Sequence, residues 1–336
     1  MPRKPKCLMA VTERVRNGFF DEQLFGQLQE LTELRVEIMN RRENQAAFGA
    51  LLASCAPEIL IGGWQSPTLT ESIHAATPTV KLFVYTAGAI RQQIDKSVME
   101  SGVRVTNWGD TAAPSVAEAT LMMMLASLRK VPEYHNILHH RKGWRGGGTP
   151  EGLFYKNVGL HGFGRISRAL VKLLEPFHCN IRTYSPHVPD ALLEQYGVGR
   201  AQTLQVLYAE SHVVVVLASK TDENYHVVNE RILGAMPDGA HLVLTGRGAV
   251  VDTEALIREL KTGRLFAALD VYEKEPLDPD SPLRGMDNCM LLPHQGGPTS
   301  DMYIQVGKVA VENIKRWLDG EPLINEVTPD LYELMT

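Results

Sequence analysis

Short apolar runs alternate with longer amphipathic stretches along most of the chain. In the first third, apolar runs at residues 7–11, 59–61, 80–84 and 103–105 predict strands. Residues 21–34 carry leucines at helical spacing and predict a helix. Strands and helices that alternate in this way are typical of a parallel sheet covered by helices.

The same alternation returns in the second half of the chain. Apolar runs there predict strands at residues 157–161, 180–184, 213–217, 242–245, 267–271 and 290–292. Residues 299–318 then place apolar side chains on one face of a final helix. This pattern predicts a doubly wound α/β domain, in which ligands bind beyond the carboxyl ends of the strands.

A long helix is predicted from Pro114 onwards. Ser115 is expected to cap it, and Glu118, three positions later, completes a capping box. The most apolar part of this helix, residues 119–128, is too short to span a membrane.

The strand at 157–161 runs directly into the turn Gly162-Phe163-Gly164, and a helical pattern follows. The first glycine allows a tight turn, the second lets the main chain approach a pyrophosphate, and the helix N-terminus supplies free N–H groups. Ser167 replaces the third glycine of such motifs, so slightly looser packing of helix on strand is expected. An ordinary strand–helix turn can share these glycines, but the flanking strand and helix favour a dinucleotide site.

Three polar residues follow the last predicted strands of this domain. They are Arg247, Glu275 and His294. Arginine can grip a carboxylate with its planar fork, and histidine can pass a proton while a hydride moves to or from a nicotinamide. A glutamate bonded to the other ring nitrogen would fix the histidine tautomer. Each residue alone has an ordinary structural explanation, but their joint placement at successive strand ends indicates an active site.

Composition indicates an ordinary globular protein. Of 336 residues, 44% are hydrophobic and 22% are charged, and this length favours two domains. A net charge of −5 gives no indication of a positively charged surface that would bind nucleic acid. No signal peptide or membrane span is recognised, so a cytoplasmic protein with no nucleic-acid or membrane partner is expected.

Cysteine and histidine spacing gives no metal site. The four cysteines are scattered without a C-x-x-C pair, as in proteins of reducing compartments. His135 and His139 are four residues apart and can share a helix face, but no third ligand accompanies them.

Four segments of the chain closely resemble the D-isomer-specific 2-hydroxyacid dehydrogenases. They are VGLHGFGRI at residues 158–166, TGRGAVVD at 245–252, LDVYEKEP at 269–276 and PHQGG at 293–297. The resemblance covers nearly the whole chain. It implies a Rossmann NAD(P)-binding domain at residues 111–296, inserted into a flavodoxin-like substrate-binding and catalytic domain made of residues 1–110 and 297–336. It also implies a ligand cleft at the hinge and a homodimer.

The resemblance assigns roles to individual residues. Arg247 would bind the substrate carboxylate and carbonyl, His294 would act as acid and base with Glu275 as its partner, and Asp270 would contact the nicotinamide carboxamide. The other implied cofactor residues are Gly162, Phe163, Gly164, Arg165, Ile166, Ser185 and Thr245. The implied substrate loop is Gly88, Ala89 and Ile90, beside Arg247 of the other domain.

Several positions depart from the family pattern, among them Leu217-Ala218-Ser219, which replaces a common His-x-Pro. Ile90 stands where glycine is common, so we expect it to narrow the range of substrate side chains, and Arg91 adds a cation next to it. Ser185 lies 21 residues beyond Gly164, where an acid normally binds the adenosine ribose and repels a 2′-phosphate. Arg182 and His187 are the cations expected near it.

The implied activity is oxidoreduction between a 2-oxo acid and a D-2-hydroxy acid with NAD(H) or NADP(H), without a metal. The identity of the acid and the choice of cofactor are left open by the sequence. The alternative is a nicotinamide-binding regulatory protein with little turnover, similar to the corepressor branch of the same family. An intact Arg–Glu–His set favours the enzyme.

Overall fold

The structure, a computed structural model, describes residues 3–144 and 147–332. The chain divides into two compact units. The first unit takes the chain up to Ala112 and again from Thr299, and the second unit is Ala113–Pro298. The predicted boundaries were 110/111 and 296/297, and the roles assigned to the two units stay predictions.

The first unit is built on a six-stranded sheet. Its elements up to the unit boundary are β1 (Lys6–Val11), α1 (Glu13–Phe19), α2 (Glu22–Leu31), β2 (Glu33–Ile38), α3 (Arg41–Cys55), β3 (Ile59–Gly62), α4 (Glu71–Ala76), β4 (Leu82–Tyr85), α5 (Lys96–Glu100), β5 (Arg104–Thr106) and the start of α6 (Gly109–Leu128). After the second unit the chain adds α13 (Tyr303–Asp319), β13 (Glu326–Val327) and α14 (Pro329–Tyr332). The strand order is β2-β1-β3-β4-β5-β13, parallel except for β13, and it is the flavodoxin-like order.

The second unit contains a seven-stranded sheet whose strands are all parallel. After α6 its elements are α7 (Val131–His139), β6 (Asn157–His161), α8 (Arg165–Leu174), β7 (Asn180–Tyr184), α9 (Asp190–Gln195), β8 (Gly199–Arg200), α10 (Leu204–Ala209), β9 (Val213–Val216), α11 (Glu230–Gly234), β10 (His241–Leu244), α12 (Thr253–Lys261), β11 (Phe266–Leu269) and β12 (Cys289–Leu291). The order β8-β7-β6-β9-β10-β11-β12 is the doubly wound order of Rossmann domains. The predicted fold class is therefore confirmed.

Strand β9 shows why apolar runs form this sheet. All four of its valines are fully buried. Val213 and Val215 pack into one core cluster, and Val214 and Val216 pack into the other. Because successive side chains point to opposite faces, a strand covered on both faces reads as a continuous apolar run.

The predicted capping box at Pro114 is wrong. Helix α6 begins at Gly109, whose N–H donates to the Asn107 side chain at 3.0 Å, and Pro114 lies inside the helix. Ser115 is buried and does not begin the helix. By length and composition, the 20-residue helix α6 could cross a membrane, but more than half of its apolar stretch is buried inside the protein, as in the core helices of globular proteins.

Candidate functional site

The glycine turn after β6 has the geometry of a phosphate-binding turn. Gly162 has φ +96°, and a Cβ there would lie 3.0 Å from the backbone N of Ala218, so the position requires glycine. Gly164 is the N-cap of α8, where a Cβ would meet nothing within 4 Å. Within the described residues no side chain caps α8, so its first N–H groups can bind a pyrophosphate. These residues fit a dinucleotide.

Ser167 does more than replace a glycine. It is fully buried, and its hydroxyl donates to the carbonyl of Gly162 at 2.8 Å. The serine therefore ties the first turn of α8 back to the glycine turn. The looser packing expected from the sequence is offset by this hydrogen bond.

The neighbouring residues hold the turn with their side chains. Phe163 is buried and meets the Tyr196 ring edge-on, with centroids 5.8 Å apart. Ile166 packs against the same core, and Arg165 is half-buried at the start of α8. Phe163 and Ile166 can therefore offer a ligand mainly their main-chain groups.

The loop after β7 contains Ser185, which is half-buried directly beyond the strand. Its carbonyl accepts a hydrogen bond from Arg200 of β8 at 3.0 Å, and Arg200 also donates to Val188 at 2.5 Å. The expected cation Arg182 instead forms an ion pair with Glu210. Arg200, which the sequence motifs do not indicate, contacts the loop directly and is ion-paired with Asp190 at 2.6 Å, while His187 is exposed.

Arg247 lies three residues beyond β10. Its Nη1 donates to the carbonyl of Gly246 at 2.9 Å. Burial lowers the pKa of this guanidinium below its usual range, and the charge of Glu275 opposes the shift only in part. Thr245, just before it, is buried, and its hydroxyl lies 3.0 Å from that of Thr120 in α6.

His294 and Glu275 form a hydrogen-bonded pair. The imidazole Nδ1 lies 2.7 Å from Glu275 Oε2, while Oε1 of the same carboxylate accepts the backbone N–H of Tyr272 at 3.0 Å. In the described part of the chain, Nε2 of His294 makes no hydrogen bond to protein. The histidine side chain is 52% exposed, so Nε2 can meet a ligand.

Three sets of close contacts hold together the loops that carry Arg247, Glu275 and His294. Gly248 packs so tightly on the next loop that a Cβ would lie 1.9 Å from the carbonyl carbon of Tyr272. The Tyr272 hydroxyl donates to the carbonyl of Leu292 at 2.7 Å. Asp270 accepts the N–H groups of Gln295 at 2.7 Å and Gly296 at 2.8 Å. The structure thus brings the loops of the predicted Arg, Glu and His together. In the sequence, this close packing is indicated by the glycines of the TGRG and HQGG motifs, which include Gly248 and Gly296.

The proposed substrate loop of the first unit differs from expectation. The Ile90 side chain is fully buried in a core cluster of the first unit, which argues against a ligand contact by this side chain; the substrate role of the loop stays a prediction. Gly88 is covered by Trp108, since a Cβ would lie 2.5 Å from the indole nitrogen, and its carbonyl accepts from Asn107 at 2.8 Å. Ala89 is half-buried.

The histidines of α7 do not assemble a metal site. The rings of His135 and His139 lie 4.5 Å apart. Among residues 3–144 and 147–332, no group of three or more His, Cys, Asp or Glu side chains is arranged to hold a metal ion.

Comparisons with known proteins show which family the chain resembles. Residues 121–296 match the family model of the D-isomer specific 2-hydroxyacid dehydrogenase, NAD binding domain. The chain is 31% identical over 288 residues to a hydroxypyruvate reductase of Thermotoga maritima, covering 82% of this chain and 92% of that protein. It is 33% identical to a D-3-phosphoglycerate dehydrogenase of Methanocaldococcus jannaschii over 72% of this chain, but spans only 46% of that relative.

A solved structure shares the fold. The holo form of Rhodotorula graminis D-mandelate dehydrogenase superimposes with a TM-score of 0.83 at 22% identity, over 97% of this chain and 98% of that one. The family match places an NAD-binding domain on the second unit, where the glycine turn lies. The chain therefore belongs to the D-isomer-specific 2-hydroxyacid dehydrogenase family, as the sequence motifs predicted.

Proposed function

We propose that the protein is an oxidoreductase that interconverts a 2-oxo acid and a D-2-hydroxy acid with a nicotinamide dinucleotide. The observation that carries this proposal is the 2.7 Å pair of His294 and Glu275 beside Arg247, in the unit that matches an NAD-binding domain. The relatives named as reductases and dehydrogenases of such acids support it.

The dinucleotide would be held by the main chain of residues 162–166 and by the N-terminus of α8. When bound in its reduced form, it supplies the hydride that reduces the carbonyl carbon. Arg247 binds the substrate carboxylate through its planar fork and polarises the adjacent carbonyl. Its charge persists across the working pH range because arginine deprotonates only at very high pH.

His294 completes the reduction by donating the proton on Nε2 to the carbonyl oxygen, which becomes the hydroxyl of the product. In the reverse direction, Nε2 accepts that proton. Glu275 bonds to Nδ1, so it orients the ring and fixes its tautomer. The backbone N–H of Tyr272 holds the carboxylate in turn.

The test is oxidation of NADH and NADPH against glyoxylate, hydroxypyruvate, pyruvate and phenylpyruvate. We expect turnover with at least one of them, reduced ~10²–10⁴-fold in His294→Ala, with NADH affinity by fluorescence titration nearly unchanged. Near-normal activity of this variant would remove His294 from the mechanism. Tight cofactor binding with no turnover of any acid would instead favour the regulatory alternative.

We propose that both NAD(H) and NADP(H) are used. Ser185 supplies no carboxylate to repel a 2′-phosphate, and its hydroxyl can bond to a ribose hydroxyl or to a phosphate oxygen. Arg200 bonds to the Ser185 carbonyl but is ion-paired with Asp190 at 2.6 Å, so its charge is largely balanced. The missing carboxylate at position 185 is therefore the feature that supports weak discrimination between the cofactors.

A cytoplasmic homodimer is also part of the proposal. All four cysteines are free, which suits a reducing compartment. Among the described residues, five large apolar side chains are exposed just before β6, with Trp144 at 80% and Tyr155 at 75%; they are Val131, Leu138, Trp144, Phe154 and Tyr155. We propose that they contribute to the dimer interface. Sedimentation equilibrium at micromolar concentration tests for twice the chain mass of 37.3 kDa.

A further inference from the structure

Asp270 is a buried carboxylate whose two oxygens both accept main-chain N–H groups. The residue is 2% exposed, its Oδ1 accepts from Gln295 at 2.7 Å, and its Oδ2 accepts from Gly296 at 2.8 Å. Its own carbonyl accepts the N–H of His294 at 2.9 Å. Asp270 therefore binds three successive N–H groups of the loop that carries the histidine.

The backbone of His294 needs such support. Its φ is +56°, in the left-handed region that non-glycine residues seldom adopt. A conformation of this kind persists where surrounding contacts over-determine it. Charge-assisted hydrogen bonds to a buried carboxylate are among the strongest contacts available for that purpose.

Gly296 shows how closely the loop is fitted to the carboxylate. A Cβ at this position would lie 2.7 Å from Oδ2 of Asp270 and 3.8 Å from Ala119. Any side chain there would push the loop off the carboxylate. The His-Gln-Gly loop thus fits Asp270 in two ways: its N–H groups bond to the carboxylate, and its glycine leaves room for the carboxylate to approach.

We propose that Asp270 is a positioning residue, which fixes the loop so that Nδ1 of His294 meets Glu275 and Nε2 is presented to the substrate. The inference rests on the proposed function for its kinetic consequence. It differs from the family resemblance, which assigns Asp270 a contact to the nicotinamide carboxamide. If Asp270 positions the histidine, its loss should slow proton transfer. If it contacts the cofactor, its loss should weaken cofactor binding.

The test is Asp270→Asn, which keeps the side-chain size but turns one acceptor into an N–H donor facing a main-chain N–H. We expect kcat to fall at least tenfold, the pH–rate profile to shift, and the dissociation constant for NADH to change less than twofold. Asp252→Asn is the matched control, because Asp252 also accepts a main-chain N–H, from Ala255 at 3.0 Å, but does so at the N-cap of α12. This control should keep kcat.

A readout without turnover separates this inference from the proposed function. Nitrogen-15 NMR of the histidines should show the His294 ring signals shifted in Asp270→Asn and unchanged in Asp252→Asn. Gly296→Ala, which leaves the carboxylate in place, should produce a similar shift and serves if Asp270→Asn does not fold. An unchanged His294 spectrum in a folded variant overturns the proposal. A more than tenfold rise in the NADH dissociation constant with kcat preserved overturns it too, in favour of the cofactor contact.

Discussion

At Arg247, the positive charge and the planar shape of the guanidinium lead to different predictions for a lysine substitution. Its guanidinium is half-buried, bonded to its own neighbouring carbonyl, and close enough to Glu275 for their charges to interact. A lysine would keep the positive charge but lose the planar fork that matches a carboxylate and its adjacent carbonyl.

We therefore expect Arg247→Lys to be nearly as damaging as Arg247→Ala. The loss in kcat/KM should be on the order of 10²-fold or more, since a donor aimed at the reacting carbonyl is removed. Arg258→Lys is the control, because Arg258 lies at the surface beside Glu230. If lysine restores most of the activity at position 247, the arginine acts only as a diffuse charge.

Ile90 leads to a different prediction from the one its sequence position suggested. Its side chain belongs to the core of the first unit, so truncating it should leave a cavity rather than widen a substrate site. Ile90→Ala should lower the free energy of unfolding by about 2–5 kcal/mol and leave the relative rates with different 2-oxo acids unchanged. Urea unfolding and the substrate panel measure the two effects. A broadened substrate range at unchanged stability would mean that the side chain faces the ligand after all.

At the scale of elements, the strands buried on both faces were the easiest to predict. The runs that form β6, β9 and β10 are mostly apolar and buried, and their predicted limits lie within one residue of those observed. Strand β2 was not predicted, and the preceding predicted helix ran into its first two residues, because β2 is an exposed edge strand with charged side chains and no apolar run. Such a strand is specified by pairing with β1, which a local pattern does not record.

In the loops, the sequence indicated which residues matter but not where their side chains point. The motifs identified Arg247, Glu275 and His294, because the carboxyl ends of parallel strands converge on one edge. They could not show that Ile90 turns into the core or that Asp270 binds the histidine loop. Arg200 was missed because it reaches Ser185 from 15 residues further along the chain, through the pairing of β8 with β7.

The loop after β7 carries the cofactor prediction. Ser185→Asp should shift the ratio of kcat/KM for NADH over NADPH strongly towards NADH, because the new carboxylate would bond the ribose hydroxyls and repel a 2′-phosphate. Ser185→Ala is the control and should change the ratio much less, since it adds no charge. A wild type already strict for NADH, or an unchanged ratio in the aspartate variant, would show that this position does not contact the ribose.

At the scale of the whole molecule, two buried histidines make stability depend on pH. Burial lowers the pKa of His161 to about 4 and that of His241 to about 4, from an ordinary value of 6.5. His161 lies 3.2 Å from the Tyr208 hydroxyl, and His241 lies 2.8 Å from that of Ser127. Both rings are therefore neutral in the folded protein at pH 7.

Below its ordinary pKa, each histidine takes up a proton more readily in the unfolded chain than in the folded one. The stability they contribute is complete above about pH 6.5 and is lost as the pH falls towards 4. Between pH 7 and pH 5 we expect a loss of about 2 kcal/mol for each histidine, measured by urea unfolding. In a variant carrying His161→Asn and His241→Asn, this part of the pH dependence should disappear. The same slope in the variant and the wild type would assign the effect to other groups.

The small strand β13 has a consequence for how the protein is made. It completes the first sheet by pairing with β5, and Glu326 holds Arg104 with two hydrogen bonds of 2.7 and 2.8 Å. On the ribosome, every residue of the second unit is synthesised before these last contributions to the first. At ~5–20 residues per second, synthesis of the second unit takes on the order of ten seconds or more. During this time β13 is absent, and β5 is left as an unpaired edge strand. The first unit is thus begun before the second and completed after it, which makes nascent chains stalled short of residue 326 candidates for chaperone binding.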